Sequence, residues 1–326
     1  MKVAVIGGGS WGSAIAKLLY LKGHDVKIWA RRKKVVEALK RGENPYYLPG
    51  ITLPKFKATD NLNEVISGSE LLYFAIPSQV VREVLEKIHN LPKDAIIINL
   101  AKGIEIKSAK RMEEVFTEIL GDIKYATLSG PSHAEEVARD IPTSVVVASR
   151  DESVAKIVQH ETSTISFRVY RTMDVTGVEI AGALKNIVAI AAGVIDGLGN
   201  WDNSKAALIT RALSEITRFG VHFGAKRETF MGLAGIGDLI VTCTSRYSRN
   251  RYVGEMLGRG KRLNEILSGM SMVAEGVYTT RIAYEISRRE NLYTPIIDHV
   301  YKLLYENMKV PQALHSLLSR PLKEED

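Results

Sequence analysis

An apolar run at the amino terminus, KVAVI, leads directly into Gly7, Gly9 and Gly12, spaced as G-x-G-x-x-G, and a helical pattern, WGSAIAKLLYLKG, follows without a break. A second apolar run, His24 to Ala30, comes next. Glycines at this spacing carry little information alone, but between a strand and a helix they specify a tight turn whose backbone can approach a pyrophosphate. The start of the helix, at Ser10 and Trp11, presents unpaired N–H groups and the positive end of the helix dipole to that anion. A chain that begins this way is committed to a parallel α/β sheet with a dinucleotide at the carboxyl end of its first strand.

The end of the second strand bears on which dinucleotide. Selectivity for NAD ordinarily places an acidic residue there, on the ribose 2′-hydroxyl. Here Ala30 is followed by Arg31, Arg32, Lys33 and Lys34, with no carboxylate. Two guanidinium groups can hold a 2′-phosphate through charge-assisted hydrogen bonds. NADP(H) is therefore expected to be preferred, with NAD(H) as the second cofactor. The alternative is a solvated basic helix start.

Further strands are expected at 57–59, 70–76, 95–101, 125–129, 144–148 and 167–171, with helical patterns at 79–89 and 110–120 between them. Alternation of this kind predicts an α/β Rossmann-type, doubly wound, mainly parallel sheet. Ligands of such sheets lie beyond the carboxyl ends of the strands. Three strand ends then matter: Ile76-Pro77-Ser78, Ala101-Lys102-Gly103 and Ser129-Gly130-Pro131-Ser132. Ser132 and Glu135 also have the spacing of a capping box for a short helix. Beyond about residue 173 strand signals fade, and an all-α carboxyl-terminal domain is expected, so that 1–173 form the nucleotide domain and 174–326 the helical one. Asn203 is placed to cap a long helix reaching Gly220, with further helices at 263–267, 277–287, 296–304 and 312–318.

The helical half opens with VEIAGALKNIVAIAAGVI, residues 178–195, apolar on all sides and so expected to be buried. Lys185 stands in its middle on a face of small side chains, Ala181, Gly182, Val188, Ala189 and Ala192, read here as the wall of a cleft facing a bound ligand. A lysine there is either a packed stem whose head finds water or a carboxylate, or a functional ammonium group. A second informative stretch, GLAGIGDLIVTCTSRYSRN, contains Asp238 after two glycines and the tripeptide Ser248-Arg249-Asn250. An arginine fork flanked by hydroxyl and amide groups suits a phosphate monoester. Read with Arg246, Tyr247, Arg251 and Tyr252, the same stretch could instead be a nucleic-acid patch. A cofactor cleft favours the small phosphorylated ligand.

Net charge is +7, with an isoelectric point near 9.2, and it does not choose between these ligands. The single cysteine, Cys243, excludes an internal disulfide and fits a reducing compartment. A strand that begins at the second residue leaves no room for a signal peptide, and residues 178–195 carry Glu179, Lys185 and Asn186 against a lipid environment. A cytoplasmic protein without membrane insertion is expected.

Taken together and in order, GGGSWGSA (7–14), NPYYLPG (44–50), AIPS (75–78), AKGIE (101–105), SGPSHAEE (129–136), LKN (184–186), NSKAALITRALSE (203–215), GLAGIGDLIVTCTSRYSRN (232–250) and AEGVYT (274–279) resemble the NAD(P)-dependent glycerol-3-phosphate dehydrogenases, prokaryotic branch, over nearly the whole chain. The resemblance implies reduction of dihydroxyacetone phosphate to sn-glycerol 3-phosphate, for glycerophospholipid synthesis. It implies Lys185 as the proton acceptor in oxidation and donor in reduction, and Lys102 in contact with substrate and cofactor. Substrate binding falls to Gly130, Ser132, Asp238, Ser248, Arg249 and Asn250, with Asn186 and Thr242 nearby. Ser10, Trp11, Arg31, Arg32, Ala134, Arg249, Val273 and Glu275 are implied in cofactor contact. Lys102 and desolvation are expected to depress the Lys185 pKa, and Asp238 to orient Lys185 and offset part of its burial cost. No metal or nucleic acid is implied, and a homodimer is compatible with it. Two rival readings are a related β-hydroxyacid dehydrogenase, which the phosphate clamp argues against, and a cofactor-binding nucleic-acid regulator without catalysis.

Overall fold

The structure, a computed structural model, describes residues 1–270, 272–321 and 324. Eight strands, β1 (Lys2–Ile6), β2 (Asp25–Trp29), β3 (Lys57–Thr59), β4 (Leu71–Phe74), β5 (Ile96–Asn99), β6 (Lys124–Ser129), β7 (Thr143–Ala148) and β8 (Phe167–Thr172), form one sheet in the order β3-β2-β1-β4-β5-β6-β7-β8. All neighbours are parallel except β6 and β7. The sheet is mainly parallel, as its apolar strands predict. Alternate side chains of β1 enter different cores: Val3 and Val5 on one face, Ala4 and Ile6 on the other. The chain leaves β1 toward β2 on one side and returns to β4 on the other. The crevice of a doubly wound sheet opens at that reversal, and the carboxyl ends of β1, β2, β4, β5 and β6 all face it.

From Val175 onward the regular elements among the described residues are helical. The first, Val175–Gly199, is the core of this half, with nearly all of its residues buried. By length and composition it could cross a membrane, yet 94% of its most apolar window is buried inside the protein, so it is a core helix. Asp174 holds its start: one carboxylate oxygen accepts from the Gly177 N–H (2.9 Å), the other from the Lys226 N–H (2.9 Å) and Thr229 hydroxyl (2.6 Å). Glu179, one turn in, accepts from the Tyr125 hydroxyl of β6 (2.6 Å), the Glu113 N–H (2.9 Å) and Arg111 (2.9 Å). Burial raises its carboxyl to about 7, offset in part by Arg111 and Tyr125. These contacts anchor the central helix to the sheet and so fix where Lys185 stands relative to the strand ends.

Helix Arg249–Gly258 lies against the central helix at a distance only glycine allows. A Cβ at Gly254 would stand 1.9 Å from the Ile190 carbonyl oxygen, and one at Gly193 2.0 Å from that of Arg251. Backbone-to-backbone approach brings Asn250, in the first turn of this helix, beside Asn186.

Several boundaries differ from the sequence-based expectation. Ser132 does not cap the short helix Ala134–Val137; His133 holds the cap position and the Ser132 hydroxyl donates to the Gly130 carbonyl instead (3.0 Å). The helix read from Asn203 starts at Asp202, so Asn203 lies inside it and Trp201 holds the cap position. The pattern at 79–89 yields only a 3-10 turn, Ser78–Val80, and a short helix, Val81–Leu85.

Candidate active site

Lys185 is 5% exposed, and its ammonium group donates to Asp238 Oδ1 (2.5 Å) and to the Thr242 hydroxyl (2.6 Å). Lys102, on the turn after β5, donates to Asp238 Oδ2 (2.8 Å) and to the Gly130 carbonyl (3.0 Å). One buried carboxylate therefore divides its oxygens between two lysines, one from each half of the chain. Each lysine uses two of its three N–H bonds and retains one. Burial lowers Lys185 to about 8; Asp238 works against that shift and Lys102 with it. Burial also pushes the Asp238 carboxyl up, but Lys102 and Lys185 outweigh it and hold the group below its ordinary value. Asp238 is thus an anion between two cations, and Lys185 changes charge in a range useful for proton transfer.

Local sequence explains the placement. Asp238 opens the helix Asp238–Thr244 directly after a π turn at Leu233–Gly237. Gly235 makes that turn possible, since a Cβ there would lie 2.0 Å from the Phe230 carbonyl oxygen. Thr242, one turn on, donates to the Asp238 carbonyl (2.6 Å) while accepting from Lys185. The turn carrying Lys102 is braced by Asn99, whose side chain accepts from the Ala101 N–H (3.0 Å) and donates to the Ala101 carbonyl (3.2 Å).

Of the remaining substrate candidates, Asn186, Asn250, Gly130 and Ser132 are linked to this pair by hydrogen bonds. Asn186 donates to the Lys102 carbonyl (3.2 Å) and accepts from Asn250 (2.8 Å), whose own carbonyl accepts from the Gly276 N–H (2.9 Å). Gly130 serves Lys102 and Ser132 with one carbonyl oxygen. Ser248 is the N-cap of its helix, accepting from the Arg251 N–H (3.2 Å). Arg249 follows it, exposed, at a helix N-terminus, a combination of charge and dipole suited to a phosphate.

The glycine turn fits a dinucleotide. A Cβ at Gly12 would stand 1.8 Å from the Gly7 carbonyl oxygen, and Gly7 itself has φ +123°, so both must be glycine for the turn to close. Among the described residues nothing lies within 4 Å of where a Gly9 Cβ would point, and helix Ser10–Leu21 has no side-chain cap. The N–H groups at Ser10 and Trp11 are left for an anion in that open space. Ala134 is buried behind the SGPS turn and Val273 is 37% exposed. Glu275 starts the helix Glu275–Arg289 and accepts from the Ser78 N–H (2.9 Å) and hydroxyl (2.5 Å), joining the end of β4 to the helical half. Arg31 and Arg32 are exposed beyond β2 at the opposite edge of the crevice from Lys185.

One expectation is corrected. Ala181, Val188, Ala189 and Ala192 are at most 2% exposed and belong to the helical core; they do not line a cleft. Small residues there serve close helix packing, and of that face only Gly182 approaches the site, against Ser129 and Lys102. Sequence reasoning passed over His133, whose Nε2 is buried without a partner among the described residues and whose imidazole burial and Lys185 lower to about 4. It also passed over Asn99. A polar residue ending an apolar strand was the available signal for Asn99; none marked His133.

The chain matches the family model described as NAD-dependent glycerol-3-phosphate dehydrogenase N-terminus over residues 2–155, and that of the C-terminus over 174–315. It is 47% identical to a glycerol-3-phosphate dehydrogenase (NAD(P)+) of Chlorobium limicola over 331 aligned positions, covering 100% of this chain and 99% of that one. It is also 47% identical to the same-named protein of a Thermotoga species over 325 positions, with 100% and 99% covered. Among solved structures, glycerol-3-phosphate dehydrogenase from Coxiella burnetii superimposes with a TM-score of 0.93 at 36% identity, covering 98% of both chains. The glycine turn, the two-lysine carboxylate and the full-length matches agree: this chain belongs to the NAD-dependent glycerol-3-phosphate dehydrogenase family.

Proposed function

We infer that the chain reduces dihydroxyacetone phosphate to sn-glycerol 3-phosphate reversibly with NAD(P)H, and that NADPH is preferred. The observation that carries the reading is the buried Lys185–Asp238–Lys102 triad, with one N–H free on each lysine. The chemistry supplied by a bound nicotinamide is hydride transfer to the carbonyl carbon. The chain does the rest. Arg249 and the N-terminus of its helix hold the phosphate, which sets the carbonyl against the lysines. Lys185 donates its remaining N–H to the carbonyl oxygen and delivers the proton as charge develops there; in oxidation it takes the proton back. Lys102 adds a second positive charge near that oxygen. Asp238 keeps both lysines in place and, being anionic, keeps Lys185 protonated near neutral pH.

The product is the glycerol backbone of phospholipids, so supply of glycerophospholipid synthesis from the cytoplasm is part of this reading. The carboxylate-substrate and nucleic-acid readings lack an observation of their own; the exposed arginine at the start of helix Arg249–Gly258 suits a phosphate. The test is NADPH and NADH oxidation with dihydroxyacetone phosphate, in wild type and Lys185→Ala. The variant is expected to lose about 10²–10⁴-fold in kcat with an unchanged Kd for NADPH. Near-normal turnover in the variant, or none in wild type, refutes the reading.

A further inference from the structure

The segment Asn44–Gly50, NPYYLPG, touches neither Lys185 nor Asp238, yet its side chains reach both parts of the cofactor site. Asn44 is 1% exposed and donates to the Gly8 carbonyl (3.0 Å) and the Ser13 hydroxyl (2.8 Å). Both partners belong to the glycine turn and the first turn of the helix that follows it. Leu48 is 1% exposed in the sheet core and fixes the segment from below. Between these anchors, the Tyr47 hydroxyl accepts a hydrogen bond from Arg32 Nη1 (3.1 Å). Lys34 sits over the ring of Tyr46, 4.4 Å from its centre.

An exposed arginine samples many rotamers, and holding it in one costs entropy at the moment of binding. A guanidinium already held by a phenol has part of that cost removed. We propose that residues Asn44–Gly50 form a brace that sets cofactor selectivity. Tyr47 is a positioning residue that aims Arg32 at the ribose 2′-phosphate, and Asn44 holds the turn beneath the pyrophosphate. Only NADP(H) has the 2′-phosphate; both cofactors have the pyrophosphate. The two residues therefore act on different quantities. The proposal rests on the reading of Arg31 and Arg32 as 2′-phosphate ligands.

The experiment measures KM and kcat for NADPH and NADH, with dihydroxyacetone phosphate saturating, in wild type, Tyr47→Phe, Arg32→Ala, the double variant and Asn44→Ala. Tyr47→Phe is expected to raise KM for NADPH about three- to tenfold, the scale of one hydrogen bond at a partly exposed site, with KM for NADH and kcat unchanged. In the Arg32→Ala background, Tyr47→Phe should add nothing, because the group it positions is gone. Asn44→Ala should raise both KM values by the same factor. Equal effects of Tyr47→Phe on the two cofactors overturn the brace, as does full additivity with Arg32→Ala. If Arg32→Ala itself leaves the NADPH-to-NADH ratio unchanged, the arginine reading has failed and the brace with it. If Arg32→Ala lowers that ratio while Tyr47→Phe does not, the brace alone has failed.

Discussion

Replacing Asp238 with asparagine keeps the shape of the site and removes the one carboxylate that both lysines share. Asp238 Oδ1 lies 2.5 Å from the Lys185 ammonium group, close enough for an opposite charge to move a pKa by about 1–3. The Lys185 side chain is 7% exposed and that of Lys102 19%, so of the two cations left facing each other, Lys185 is the one expected to lose its proton. Starting from about 8, its pKa should fall to about 7 or about 6 over the lower part of that range. At about pH 7.5 the protonated fraction of Lys185 would drop from roughly three quarters to roughly one quarter, or to a few per cent. The sign follows from the direction of reaction: reduction needs protonated Lys185, so its rate declines as pH rises through the Lys185 pKa. Asp238→Asn should therefore lower kcat/KM for ketone reduction at about pH 7.5. The loss should be roughly 3-fold if the pKa falls to about 7, and roughly 25-fold if it falls to about 6. Part of that loss should return when the assay is run about two pH units lower. The assay is single-turnover reduction across pH, with NADPH affinity and melting temperature as controls. A rate that falls by the same factor at every pH, with the inflection still near that of wild type, would refute the charge argument and leave Asp238 a purely geometric role.

Other outcomes follow from the same geometry. Arg249→Ala removes the exposed guanidinium at a helix N-terminus and should raise KM for dihydroxyacetone phosphate by about 10- to 100-fold, the scale of a charge-assisted hydrogen bond, while kcat changes far less; steady-state kinetics decides. Acidic replacements at Arg31 and Arg32 should raise KM for NADPH far more than for NADH, and equal effects would remove the basis for NADPH preference. Gly254→Ala places a Cβ 1.9 Å from the Ile190 carbonyl oxygen and should destabilise the helical half by at least about 1–3 kcal/mol, read as a lower melting temperature; an unchanged melting temperature would contradict the close approach of the two helices.

Local features carried a great deal. The glycine turn is legible because Gly7 and Gly12 answer to backbone contacts within a few residues and one neighbouring strand. All eight strands lie where they are expected, and the fully buried β4 and β5 follow from short apolar runs, as strands of a sheet buried on both faces require. The apolar character of 178–195 marks a core helix for the same reason. What local sequence could not supply is which residues meet across the fold. Lys102, Lys185 and Asp238 are 83, 53 and 136 positions apart in pairs, and nothing in the spacing of charges along the chain says that one carboxylate serves both lysines. The small face of the central helix showed the limit from the other side. Small residues at helical spacing permit close approach, but whether a ligand or other helices fill the room is decided by the partner, here the apolar core of the helical half. Sequence determined the elements and the kinds of chemistry they could offer. Tertiary structure decided the buried charge pairing, because desolvation and Coulomb interaction depend on distance through space and not along the chain.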